Sequence, residues 1–578
     1  MRMSQKFGAA AAANGGLLRT SMRALRTAFI SVGLFSCILN LLMLTGPLFM
    51  LQVYDRVLSS RSVPTLVALA ALAATLYAFW GLFEFLRHRV MSRAGYWLDQ
   101  QLGEATFREW MAKSIGGEAE GPRPLVDIAA LRQFLSSPGL MGIFDAPWIP
   151  IYLAFVFIVH VNLGLLTTAG ALIVMILALI NQRVTREPLA RATGMESSET
   201  RFLEQAQRNA EAILPMGMMP SIAGHWKTMH GGGAAMAQNA GERGEFFSAT
   251  SKAVRMMLQS AILGLGAYYA IYQQISPGMI VAVSIIAGRA LAPIDQIIGH
   301  WRIIARARQA HQRLTKELAG VGTRPKAIEL PDPKGALTVQ GLTKFAPGPA
   351  QDDNQRRTIL ANVAFALEPG DALGVIGPSA SGKTTLARVL IGAWQPDVGT
   401  ARLDGATIDQ WDRDQLGRHI GYLPQHVELL AGTIQQNISR FDPDAEDGDI
   451  VKAAQMAGVH EMILRLPEGY ATGIGYGAMP LSSGQVQRIG LARALYRVPH
   501  LVVLDEPNSN LDAEGDTSLA RAIEALRQAG SIVIVMAHRP SAIAAVNKIM
   551  MLMNGSVVEF GDEEDVLRKV TRLPVGGR

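Results

Sequence analysis

Six apolar stretches dominate the first half of the chain, at 28–52, 64–86, 146–163, 165–183, 253–275 and 279–298. Each approaches the roughly 20 residues that a helix needs to cross a bilayer. The third and fourth share a short junction at His160–Gly164, so their boundary is the hardest to place. Between the spans, 87–145 and 184–252 are polar with mostly helical spacing, which predicts helices continuing beyond the membrane. Gly231, Gly232, Gly233 and Gly241 read as turns or helix breaks within them. A Gly- and Pro-containing stretch, 321–333, divides this half from an α/β half at 334–578. The organisation predicted is a short segment at 1–27, a transmembrane domain at 28–320, a linker at 321–333 and a second domain at 334–578.

Charge orients the spans. Arg19, Arg23 and Arg26 precede the first; Arg87, Arg89 and Arg93 follow the second; Arg183, Arg186, Arg191 and Arg201 follow the fourth; Arg302, Arg306 and Arg308 follow the sixth. Only Arg56 and Arg61 lie in an alternate turn. The positive-inside bias places both termini in the cytoplasm. The chain of 578 residues carries net charge +6 and 49% hydrophobic residues. Its basic residues flank apolar spans instead of forming one face, which argues for membrane lipid and against nucleic acid as a partner. The single cysteine, Cys37, excludes a disulfide framework within one chain. The first apolar run is too long for a cleaved leader and reads as a retained anchor.

The α/β half carries the chemistry. Gly377-Pro378-Ser379-Ala380-Ser381-Gly382-Lys383-Thr384 follows the apolar run 372–376 and precedes the helix-like run beginning at Thr385. This is the strand, glycine-rich loop and helix start of a phosphate-binding loop, in which backbone N–H groups and the helix N-terminus hold a polyphosphate. Lys383 supplies a point charge, and Thr384 a hydroxyl ligand for Mg²⁺. A nucleoside triphosphate is the predicted ligand. Downstream, Leu501-Val502-Val503-Leu504 ends in Asp505 and Glu506. Asp505 stands where it would position Mg²⁺, and Glu506 is the natural general base for an attacking water.

Between these motifs lies Leu481-Ser482-Ser483-Gly484-Gln485, followed by Gln487-Arg488 and the helix-patterned run 489–495. Together the motifs resemble the ATP-binding-cassette (ABC) ATPases over about 331–565. The resemblance implies that Ser482, Gly484 and Gln485 bind the γ-phosphate held on a second subunit, so that two domains sandwich two ATP molecules. It also implies that Gln425 senses Mg²⁺ and the attacking water, that His538 contacts the γ-phosphate, and that Ser509-Asn510-Leu511-Asp512 couples the two sites. Thr385 continues the phosphate-binding set. Three positions depart from the family. Ser483 replaces a usual glycine, which implies slower hydrolysis or altered nucleotide geometry. Tyr476 stands where exporters carry a glutamate. Phe345, the aromatic nearest to the adenine-stacking position, is one place off, with Ala346 in register.

The fold class expected is multi-domain: an all-α six-helix transmembrane domain of the type I ABC exporter kind, fused to an α/β P-loop ATP-binding-cassette domain. One membrane domain with one ATPase is half a transporter, so a homodimer is required. The segments 51–57, 144–148, 216–220 and 288–295 resemble type I secretion permease/ATPases, in the protease, lipase and haem-carrier branch. Asn508–Asp512 is similar to the same branch. That resemblance implies an inner-membrane exporter of unfolded protein with an uncleaved C-terminal signal, working with a periplasmic membrane-fusion adaptor and an outer-membrane channel. The short N-terminal segment leaves no room for a peptidase-like domain ahead of the first span. Alternatives are a lipid or drug exporter, or a weakly hydrolytic ATP-gated channel or regulatory ATPase. Arg289 in the sixth span reads either as a polar lining of the substrate path or as a helix-end cation, snorkelling or paired with Asp295. Met216, Met218 and Met219 read first as a packing cluster, second as a contact to the ATPase.

Overall fold

The computed structural model describes residues 16–115, 124–319, 330–346, 357–475, 480–509, 511, 513–537 and 543–570. His538, Tyr476, Asn510 and Asp512, together with most of the linker, lie outside the described residues. The chain forms two compact units, Met1–Ala112 with Glu120–Arg324, and Lys113–Ala119 with Pro325–Arg578.

The first unit is helical: α1 (Leu17–Ala24), α2 (Arg26–Leu42), α3 (Thr45–Gln52), α4 (Val63–Ile115), α5 (Pro124–Leu135), α6 (Pro138–Asp145), α7 (Ile149–Val159), α8 (Val161–Arg208), α9 (Met219–Ile271), α10 (Pro277–Gly299) and α11 (Trp301–Glu317). Six stretches among the described residues are long and apolar enough to cross a membrane. Only 6% of the most apolar window of α4 is buried, and Leu66, Leu72 and Phe79 face outward, as a lipid-facing helix requires. Both α4 and α9 contain 53 residues. At 1.5 Å per residue each is about 80 Å long. The bilayer core is only about 30 Å thick, so most of each helix projects beyond it.

Four expectations are corrected here. The third span ends at Val159, because His160 adopts an extended backbone (φ −162°, ψ 130°) and caps α8 through its ring nitrogen. The glycines at 231–233 and 241 break nothing: α9 runs through them. Glycine weakens a helix by only about 1 kcal/mol per residue, and packing along a long neighbour such as α8 outweighs that. Arg289 is exposed, and Asp295 instead accepts from Arg255 at 2.7 Å and Ser251 at 2.9 Å. Finally, Met216 and Met218 are exposed on the connection between α8 and α9, and Met219 is exposed at the start of α9, all packed into no core.

Two polar arrangements hold the helical unit together. After α3 the chain makes one π-helical turn, Val53–Val57. It presents Asp55 to the start of α10, where the carboxylate accepts from the Gly278 N–H at 2.9 Å and from the Ser276 hydroxyl. A Cβ at Gly278 would lie 2.7 Å from the Asp55 oxygen, so only glycine permits the approach. Deeper in the bundle, Asp145 accepts from Arg87 at 3.0 and 3.1 Å and from Asn40 at 2.9 Å. Arg87 also reaches the Ser36 hydroxyl at 3.0 Å and Glu84 at 2.8 Å. The Tyr152 hydroxyl donates to Asn40. Arg87 is therefore a buried ion-pair partner drawn from the second span, besides being one of the charges that follow it.

The second unit holds β1 (Leu337–Phe345), β2 (Thr358–Leu367), β3 (Ala372–Ile376), β4 (Val398–Leu403), β5 (Ala406–Thr407), β6 (Ile420–Leu423), β7 (Leu501–Asp505), β8 (Ile532–Ala537), β9 (Lys548–Met553) and β10 (Ser556–Asp562). Its main sheet has the order β10-β9-β3-β8-β7-β6, parallel except for β10. A second, antiparallel sheet has the order β2-β1-β4-β5. Continuous apolar runs suit the parallel strands, which are covered on both faces. Val502, Leu504, Val533 and Val535 pack into one core, and Val503, Ile532, Ile534 and Val375 into the other. Its helices include α12 (Lys383–Leu390), α13 (Arg413–His419), α14 (Ser483–Leu495) and α15 (Ala513–Gln528).

Asp371 fastens β3 to the start of β9. Burial alone would raise its pKa, but Lys548 at 2.7 Å, the Glu368 N–H and the Asn547 amide hold it below the ordinary aspartate value. A depressed carboxylate contributes stability above the unfolded pKa and loses it as pH falls through the folded one. Asp371→Asn is therefore expected to destabilise by about 1–3 kcal/mol at neutral pH, with the deficit shrinking as pH falls below the ordinary aspartate value of about 3.9. Thermal unfolding of wild type and variant across that range checks it, and equal melting temperatures at pH 7 would contradict it.

Candidate functional site

Parallel pairing brings three strand ends to one edge of the main sheet. Ile376 lies opposite Ala537, and Met536 opposite Asp505. The loop after β3, the acidic pair at the end of β7 and the end of β8 thus share the carboxyl edge, where open α/β sheets bind ligands.

The loop after β3 is exposed at Pro378, Ser379 and Ala380, and closes at Ser381 and Lys383, both buried. Gly382 has φ +104° at the start of α12, and a Cβ there would sit 2.8 Å from Leu360. The turn therefore needs glycine to deliver the chain into the helix with its first N–H groups open. The Lys383 ammonium folds back to donate to the Gly377 and Pro378 carbonyls at 2.8 and 3.0 Å. Burial pushes the Lys383 pKa below the usual lysine value, opposed by the Glu506 and Asp505 carboxylates. Thr384 and Thr385 follow on the first turn of α12, half-buried.

Asp505 ends β7 with only 1% of its surface exposed, and both carboxylate oxygens lack a hydrogen-bond partner in proper geometry. Burial raises its pKa. The neighbouring Thr384 hydroxyl, which lies close without reaching that geometry, pulls it down; Glu506 raises it again, and Arg388 and Lys383 lower it. Glu506 follows with φ +52°, an uncommon backbone state for a side chain that is not glycine. Its N–H donates to the Met536 carbonyl at 3.0 Å, and its carboxylate accepts from the Gln425 amide at 3.0 Å. Gln425 stands just beyond β6, the next strand in the sheet. Strained conformations of this kind concentrate where a side chain is held for chemistry.

Thr384 and Asp505 offer neighbouring hard oxygen donors, Gln425 is tied to the adjacent Glu506, and the buried Asp505 oxygens are the kind of acceptor that a cation satisfies. Among the described residues no cluster of three or more His, Cys, Asp or Glu could form an all-protein metal cage. The donor set fits Mg²⁺, which usually takes one or two protein ligands and completes its shell with water and phosphate oxygens.

Ser482 and Gln485 form a capping box at the start of α14: Ser482 accepts from the Gln485 N–H, and the Gln485 side chain accepts from the Ser482 N–H. Ser482 and Ser483 are exposed at this N-terminus, and Gly484 is half-buried. Phe345 ends β1, half-buried, its N–H bonded to Asp397. The sequence named Gln487 only as a residue between the Leu481–Gln485 motif and the helix-patterned run 489–495. In the structure its buried amide donates to the Glu506 and Pro507 carbonyls at 3.3 and 2.6 Å, and to the Ser509 hydroxyl at 3.2 Å. It braces the peptide that carries the acidic pair. No sequence signal identified this role, because the two segments meet only through the fold.

The ABC transporter family profile matches residues 360–509. A type I secretion system ATP-binding protein, PrsD of Rhizobium meliloti, is 46% identical over 96% of this chain and 94% of its own length. The cyclolysin secretion/processing ATP-binding protein CyaB of Bordetella pertussis is 28% identical over 92% of this chain and 75% of its own. Among solved structures, a bacterial Atm1-family ABC exporter with ATP bound matches with a TM-score of 0.76 at 21% identity, covering 96% of this chain and 99% of that one.

Proposed function

The chain belongs to the type I secretion ATP-binding proteins of the ABC transporter family, and from that premise we propose how its residues drive protein export. It is an ATPase that powers transport of protein through its helical half. The observation that carries this is that the 46% likeness runs through membrane helices and ATPase alike. In our reading, Gly377–Thr385 wrap the triphosphate, with Lys383 turning from the loop carbonyls to the phosphates. Thr384, Asp505 and Gln425 hold Mg²⁺, which when bound neutralises charge on the phosphate oxygens. Glu506, aimed by its backbone and by Gln425, takes the proton of the attacking water. Ser482, Gly484 and Gln485 meet the γ-phosphate of a second copy, so the working unit is a homodimer. His538 and Phe345 contribute the γ-phosphate contact and the adenine contact.

The six apolar helices make this a multi-pass membrane protein. We place it in the bacterial inner membrane with both termini in the cytoplasm, on the strength of the arginine clusters flanking the spans. The proposed cargo is unfolded protein with a C-terminal signal, passed to a periplasmic adaptor and an outer-membrane channel. Its test is ATPase activity in lipid with C-terminal peptides of candidate cargo proteins. One peptide changing turnover at least about twofold is the expected result, since coupling of 1–3 kcal/mol between sites gives about 5–150-fold effects on binding. A response to lipids or amphiphiles alone would favour a lipid or drug exporter.

A further inference from the structure

Two pairs of residues near the root of α14 hold left-handed backbones: Arg440 and Phe441 at φ +59° and +58°, and Arg497 and Val498 at +59° and +48°. For a β-branched residue such as Val498 this is a genuine outlier. The two pairs reach toward each other. Arg440 donates to the Arg493 carbonyl at 3.0 Å and the Ala494 carbonyl at 3.2 Å, on the last turn of α14. The same guanidinium donates to the Gly417 carbonyl at 2.8 Å in α13 and the Ile420 carbonyl at 3.0 Å, where β6 begins. Arg497 answers from just past α14, donating to Asp442 at 2.8 Å, Asp449 at 3.1 Å and the Asp444 carbonyl at 3.0 Å. Arg493 adds a bond to the Glu428 carbonyl at 3.1 Å, three residues past Gln425.

The last carbonyls of a helix have no intrahelical donor and carry its negative dipole end, so a cationic fork is well matched to them. Burial and the nearby Arg493 lower the Arg440 pKa to about 10, which leaves it charged at neutral pH. Five donors in one plane let it bind carbonyls of two elements at once; a lysine has no such fork.

What the clasp joins matters. At one end of α14 stand Ser482 and Gly484, read above as serving the partner's nucleotide. At the end of β6 stands Gln425, which holds Glu506 of the chain's own site. We propose that Arg440 is a positioning residue for ATP hydrolysis, locking α14 to β6, the strand that leads into Gln425, so that the two nucleotide sites of the dimer keep a common geometry. This rests on the assignment of those sites given above. Nucleotide affinity in the phosphate loop needs no such lock, whereas turnover and cooperativity between sites do.

The test uses the full-length protein in lipid, comparing wild type, Arg440→Lys, Arg440→Met and Glu506→Gln. Steady-state hydrolysis gives kcat, KM and the Hill coefficient, and a fluorescent ATP analogue gives binding affinity and active fraction. Misplacing reacting groups by about an ångström can cost up to about 10²-fold, so about a tenfold fall in kcat is expected for Arg440→Met. A smaller fall is expected for Arg440→Lys, with reduced cooperativity in both and with KM and analogue affinity within about twofold of wild type. If Arg440→Met does not fold, Arg440→Lys decides. Wild-type kcat and cooperativity in the folded variants, or a fall in activity matched by an equal fall in active fraction, would overturn the proposal. Hydrolysis surviving in Glu506→Gln would fault the site assignment instead.

Discussion

Glu506→Gln is expected to lower steady-state ATP hydrolysis by about 10²–10⁴-fold, the usual contribution of a positioned general base. Nucleotide affinity should change little. The substitution keeps the shape of the side chain and its place beside Gln425, which donates to the carboxylate at 3.0 Å. The left-handed backbone at 506 is unaffected by the swap, because the residue's branching does not change. What disappears is the capacity to accept a proton. Phosphate release measured alongside binding of a fluorescent ATP analogue separates the two effects. Activity within tenfold of wild type would assign the base elsewhere.

Asp145→Ala is expected to be the most destabilising single change in the helical unit, by about 3–5 kcal/mol, the range for breaking one side of a buried ion pair. The substitution strands Arg87, of which only 4% is exposed, and leaves Asn40 without its 2.9 Å acceptor. Glu84 still touches the guanidinium, so the lower half of that range is the better expectation. The loss reads out as a lower unfolding temperature in detergent and a lower yield of folded protein from membranes. Replacing both partners with apolar residues, Arg87→Met with Asp145→Leu, should recover most of it, since no uncompensated charge then remains. A single variant as stable as wild type would mean that the cluster contributes nothing.

The parts of the molecule legible in the sequence are those whose physics is local. A phosphate loop needs its glycines, lysine and hydroxyl within eight residues, and a membrane span needs only an unbroken apolar run, so both stand out without a fold. The wrong readings share the opposite property. Gly231–Gly233 read as a break because propensity is judged in a short window, whereas α9 gains its stability from packing along α8. An Arg289–Asp295 pair, one of the alternatives for Arg289, rests on nearness in sequence, but Arg255 on α9 is nearer to Asp295 in space. The Asp145–Arg87 pair, 58 residues apart, and the grip of Gln487 on the peptide after Asp505 arise only from tertiary contact. The carboxyl-edge convergence of three strands is likewise a property of parallel pairing, invisible along any one strand.

The Asp55 contact with Ser276 and Gly278 bears on how the membrane bundle can move. It pins the end of the first span to the beginning of the sixth. Two helices riveted at one point behave as a single lever: they can pivot about the pin but cannot part there. Any gate that opens at that end of the bundle must therefore swing elsewhere in it, with this pair moving as its frame.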